Sequence, residues 1–113
     1  MAWALNVFKT VTKIVGTSAV GIYTAPVGYT GVVLLAQVAN IGATSADVSL
    51  SHQRSVSGIA VTTEMLKQYP ISGNDTANLI SGKLVLESGD VLVISGSHVS
   101  NFKFVGSILE TLN

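Results

Sequence analysis

The chain contains no cysteine. That excludes disulfides, a thiol nucleophile and thiolate metal sites, and it fits synthesis in a reducing cytoplasm. Charge is also scarce: six basic and six acidic residues make 11% of the chain, against about 25% in ordinary soluble domains. The formal net charge is zero and the basic residues form no cluster. The electrostatic footprint of a nucleic-acid binder is therefore missing. No apolar run exceeds five residues, whereas a helix needs about 20 to cross a bilayer, so no membrane partner is expected. The opening Met1-Ala2-Trp3-Ala4-Leu5 lacks the basic and long apolar regions of a secretory signal. There are only two prolines and seven aromatics to punctuate strands or build a large aromatic core.

What the chain has in quantity is β-branched side chains. Valine, isoleucine and threonine together account for 34 residues, and these types favour pleated, half-buried surfaces. Short apolar stretches recur with turn residues between them. That pattern predicts an all-β fold: a single-domain antiparallel β-sandwich, jelly-roll-like, of about eight strands. The strands are expected at about 7–14, 20–24, 31–40, 46–53, 58–68, 78–87, 91–96 and 102–110. Residues 1–18 read as an N-terminal edge strand or an arm, and 19–113 as the sandwich proper, one domain overall.

The breaks have local causes. Pro26 with Gly28 ends the second strand, and Ile41 to Ser45 links the third to the fourth. Pro70 through Asp75 reads as a corner, with Gly73 free to take positive φ. Glu87-Ser88-Gly89-Asp90 reads as a hairpin turn whose permissive residue is Gly89. Alternation places Leu84 and Leu86 on a buried face, and Lys83, Val85 and Glu87 on a wetter one. Val32 to Ala39 is apolar on both faces, so it is expected to be central or covered by a second subunit.

The same reading finds no chemistry. Lys83, Glu87 and Asp90 are expected as turn and surface residues, and Glu64 and Lys67 as a solvated strand face. His52 and His98 stand apart, with no acidic residue close to either in sequence and no second ligand at metal-binding spacing. No Gly-x-Ser-x-Gly elbow or phosphate-binding glycine loop is present. No catalytic, cofactor-binding or metal residue is assigned, and the chain is not expected to be an enzyme. Trp3, Tyr23, Tyr29 and Tyr69 could stack on sugars, although packing is the commoner use of so few aromatics.

Three segments carry a resemblance: Val7 to Thr12, Gly21 to Thr30, and Leu79 to Asp90, with the ending Ser107 to Leu112. Together they resemble small virion structural proteins of tailed bacteriophages, those of marine cyanobacterial phages in particular. The resemblance implies a β-sandwich without enzymatic activity or cofactor, made in the host cytoplasm and placed on the outer surface of the virion. The role it implies first is a capsid decoration or cement protein that contacts the major capsid protein. Neck, tail or baseplate positions are the alternatives, and a carbohydrate-binding module is a reading from a different class. With few charges and strands apolar on both faces, a homo-oligomer is expected, and the analogy with decoration proteins at threefold positions favours a trimer.

Overall fold

The computed structural model describes residues 6–80 and 82–112. Among the described residues nine strands follow one another: β1 (Asn6–Val15), β2 (Val20–Thr24), β3 (Tyr29–Asn40), β4 (Ala46–Val56), β5 (Ile59–Ile71), β6 (Asp75–Asn78), β7 (Leu84–Leu86), β8 (Val91–Gly96) and β9 (Phe102–Leu112). They form two antiparallel sheets packed face to face. The first has the order β1-β9-β3-β6, with β7 also paired to β3 further along; the second has the order β2-β8-β4-β5. Counting β6 and β7 as one interrupted strand gives eight, in the interleaved order of a jelly roll.

The interruption corrects the single strand expected over 78–87. β6 pairs Gln37 to Asn40 of β3, whereas β7 pairs Gly31 to Val33. After β6 the Leu79 N–H still donates to the Ala36 carbonyl of β3 at 2.7 Å, and Gly82, ahead of β7, takes φ 86°. Residue 81, within that expected strand, lies outside the described residues, as do residues 1–5 of the proposed arm. β1 itself is an edge strand, paired with β9 from Asn6↔Thr111 to Val15↔Phe102.

The turn at Glu87–Asp90 forms as the sequence indicates, with Gly89 at φ 87° and the Asp90 N–H donating to the Glu87 carbonyl at 2.9 Å. It is not a hairpin, however. β7 lies in the first sheet and β8 in the second, so this turn carries the chain across the sandwich. The turn itself is held to the residue after β2: the Gly89 N–H donates to the Ala25 carbonyl, and the Ala25 N–H to the Asp90 carbonyl.

A second correction concerns the 70–75 corner. Pro70 lies within β5, opposite Asp47, an edge position where its missing N–H costs no ladder bond. Positive φ falls on Asn74, at 59°, not on Gly73. Gly73 is needed for a different reason: a Cβ there would stand 2.4 Å from the backbone of Ala43. The buried Asn40 fastens the same corner, donating through Nδ2 to the carbonyls of Thr44 and Ile71 and accepting from the Gly42 N–H, all at 3.0 Å.

The core lies between the inner faces. Val48 and Leu50 of β4, Leu92 and Ile94 of β8, Phe102 of β9, Val33 and Val38 of β3, and Leu86 of β7 are each almost fully buried. β3 is the central strand expected from its two apolar faces. A register shift between Val33 and Leu35 moves the inward set from Gly31 and Val33 to Ala36, Val38 and Asn40. One apolar residue more than alternation needs is the sequence trace of that bulge. β7 divides as alternation predicts: Leu86 is buried, and Val85 is 53% exposed on the outer face. Leu86→Ala should therefore cost about 2–5 kcal/mol in urea denaturation, and Val85→Ala less than about 0.5 kcal/mol.

Candidate functional site

Along β4 the inward positions run Val48, Leu50, His52, Arg54, so the face turns from apolar to polar as the strand leaves the core. Opposite that polar end stands Asp90, at the crossing turn and only 2% exposed. Its carboxylate accepts from Arg54 Nε at 3.0 Å and from Arg54 Nη2 at 2.6 Å. It also accepts from the Glu87 N–H at 3.0 Å and lies 3.0 Å from His52 Nε2. A carboxylate can only accept in such a pair, so His52 carries its proton on Nε2. Glu87, largely exposed, accepts from the same Arg54 Nη2 at 3.2 Å. Arg54, Glu87, Ser88, Gly89 and Asp90 line a recess of about 240 Å³ here.

The two hydrogen bonds from Arg54 hold the Asp90 carboxyl well below the usual carboxylate range; burial opposes this, and the His52 bond reinforces it. Arg54 is pushed up in turn, chiefly by the same hydrogen bonds. An ionised carboxylate with both oxygens engaged by a bidentate guanidinium is a poor proton acceptor and a poor metal ligand. Among the described residues, no cluster of three or more His, Cys, Asp or Glu side chains could hold a metal. The group works as a clasp, tying a strand of the second sheet to the turn that leaves the first.

A second clasp joins the sheets directly. Tyr23 of β2 turns inward, and its hydroxyl donates to Glu110 Oε2 of β9 at 2.5 Å. Lys9 of β1 meets Oε1 of the same carboxylate at 3.3 Å. Gly31 makes room, because a Cβ there would lie 3.0 Å from the tyrosine ring. Burial, then the hydrogen bond and charge of Glu110, push the Tyr23 phenol well above its ordinary value. Among the described residues no buried side-chain polar atom lacks a hydrogen-bond partner.

These contacts revise the expected surface set. Glu87 is the surface residue anticipated, and Lys83 is exposed and outside the clasp. Asp90 is a buried hub, and His52, which has no acidic neighbour in sequence, meets a carboxylate 38 positions away. His98 stays on the surface in a loop, and Glu64 and Lys67 form an exposed pair 3.8 Å apart. Of the aromatics weighed as a sugar platform, Tyr23 is committed to Glu110, Tyr29 begins β3 in the first sheet, and Tyr69 lies on β5 in the second. Trp3 lies outside the described residues.

The outer faces of the two sheets contrast. On the second, β4 presents Asp47, Ser49, Ser51, Gln53 and Ser55. On the first, Phe8 is 75% exposed, Ile14 55% and Val85 53%, with Val32, Leu35, Val105 and Leu109 half-buried between them. A trough of about 660 Å³ runs across this face, lined by Thr12, Ile14, Gln37, Ala39, Lys103 and Val105.

No protein-family model and no curated protein matches the chain. Among solved structures, the chain is similar in fold to one described under the words "Bacillus endospore appendages form a novel family of disulfide-linked pili". The likeness has a TM-score of 0.50 at 16% identity, over 96% of this chain and 88% of that one.

Asp90→Asn should cost about 1.5–3 kcal/mol at neutral pH, and Glu87→Gln less than about 0.5 kcal/mol, by urea denaturation. The native state binds the Asp90 proton more weakly than the unfolded chain, whose carboxyl titrates near 3.9. The clasp's contribution is thus complete above about pH 4 and is lost as the pH falls below it, and Asp90→Asn should flatten that acid limb. Tyr23 has the opposite sense. Its raised value gives stability below about pH 10 that fades as the pH climbs, so Tyr23→Phe should remove a phenolate that appears above the ordinary range in an alkaline absorbance titration.

Proposed function

We propose that this protein is a non-enzymatic structural subunit of a tailed-phage virion, most specifically a head decoration protein on the outer surface that bridges major capsid subunits. The observation that carries the reading is the contrast between the two outer faces. One sheet turns a serine-rich row to solvent, whereas the other presents Phe8 and Val85 in one row across its outer face and Ile14 at the rim of a trough further along. An exposed apolar patch of this kind on a chain with twelve charges marks an interaction surface. The polar clusters support the same conclusion, since their carboxylates are consumed in holding the fold together.

The solved structure of similar fold comes from disulfide-linked pili of Bacillus endospores, which is in keeping with a fold used in assemblies. This chain has no cysteine and cannot make disulfide links of the kind named for those pili. Its assembly would be non-covalent, through burial of apolar area on the usual scale of about 800 Å² per partner.

Particles assembled without this chain provide the test. Purified protein added back should bind saturably at a fixed copy number and raise the temperature at which the heads disrupt. Val85→Lys with Val105→Lys, on the outer face of the first sheet, should weaken that binding at least tenfold while leaving the circular dichroism of the fold unchanged. Failure of the wild type to bind heads, necks, tails or baseplates would refute the virion reading.

A further inference from the structure

The four sheet edges are not equally protected. In the second sheet, β2 is five residues long with a bulge between Gly21 and Tyr23, and β5 carries two register shifts and Pro70. The far edge of the first sheet is broken into β6 and β7, of four and three residues. Short strands, bulges and proline all discourage a free edge from accepting another strand. β1 has none of these devices. Its ten residues pair with β9 without a register shift and include neither glycine nor proline. Two lysines are its one protection, and Lys9 is already drawn to Glu110.

The sequence of that strand reads almost identically in both directions. Val7-Phe8-Lys9-Thr10-Val11-Thr12-Lys13-Ile14-Val15 is symmetric about Val11, apart from Phe8 standing where the mirror position has Ile14. In an antiparallel pair of identical strands related by a twofold axis, each residue faces its mirror position. With the axis at Val11, Thr10 faces Thr12 and Phe8 faces Ile14 on the outer side, and Val7 faces Val15 on the inner side. Threonine pairs and aromatic–β-branched pairs stabilise antiparallel strands. Moving the axis to Thr10 or Thr12 sets lysine against valine instead. Moving it by half a residue sets outer-face positions against inner-face ones.

We propose that β1 is a self-association edge: two copies of this chain pair β1 to β1, antiparallel about Val11, and join their first sheets into one continuous sheet. Phe8 and Ile14, exposed in the single chain, each gain a cross-strand neighbour. The contact is isologous and yields a dimer, so the threefold number expected from the resemblance would require a different contact. It stands independently of whether the assembly is a virion. The one unfavourable element is Lys9 facing Lys13, which occurs twice and is partly offset by Glu110. This gives the contact a signature: it strengthens when salt screens the lysines.

Three variants of the full chain test the pairing, with sedimentation equilibrium as the readout. Lys13→Glu places a carboxylate opposite Lys9 at both ends and should tighten the dimer about tenfold or more. Phe8→Lys should weaken it by a similar factor, and the exposure of Phe8 leaves the fold intact. Val11→Cys introduces the only cysteine, at the axis, and should form a disulfide-linked dimer on mild oxidation, whereas Ser55→Cys should not. A monomer at about 100 µM that Val11→Cys fails to cross-link would overturn the proposal. So would a dimer or trimer indifferent to Lys13→Glu, because its contact would lie on another surface.

Discussion

The two sheets are held by the apolar residues sealed between them, and the rest of the architecture follows from that burial. Phe102, Leu50, Leu86, Leu92 and Ile94 are out of contact with water, and they come from both sheets. A sandwich of 113 residues has inner surface for one such layer and no more. The polar groups at its margins must therefore be satisfied without opening it. Asp90 draws on β4 and its own turn, and Glu110 on Tyr23 of the opposite sheet and Lys9 of the neighbouring strand, so each closes the core where the apolar face gives out.

The same limit explains the surface. Once the inner faces are used, an apolar residue on an outer face has no place in the core. The first sheet shows Phe8, Ile14 and Val85 on its outer face, while β4 of the second sheet spends its outer positions on serine, glutamine and aspartate; the apolar Val56, Ile59 and Val61 are exposed at the far end of the β4–β5 pair. An unbulged edge adjoins the apolar face, whereas the other three edges are shortened, bent or interrupted. In the proposed assembly, that face and that edge form the adhesive side of the subunit.

Much of this is legible in the residues. Alternation gave the buried side of Leu84-Val85-Leu86, and turn chemistry located Pro26-Gly28, Ile41–Ser45 and Gly89. The sheet crossing at Glu87–Asp90 is not legible locally, because a turn between two apolar runs looks alike whether the runs pair with each other or with β3 and β8. Asp90 was hidden for the same reason: Arg54 and His52 arrive from more than thirty positions away. Parity does hold a clue. His52 and Arg54 share the face of Val48 and Leu50, and Glu110 shares that of Phe104 and Ile108. A charged or polar side chain in an inward row requires a partner, and its presence announces a clasp without naming the other half.

Hydrogen exchange across the chain, measured as protein concentration is raised from the monomeric range, tests the account most directly. Amides of β1 and those beneath the outer face of the first sheet should gain protection with concentration, while those of β4 and β5 stay unchanged. Protection that is independent of concentration everywhere, or that appears on the serine-rich sheet, would contradict a subunit whose adhesive side is the first sheet.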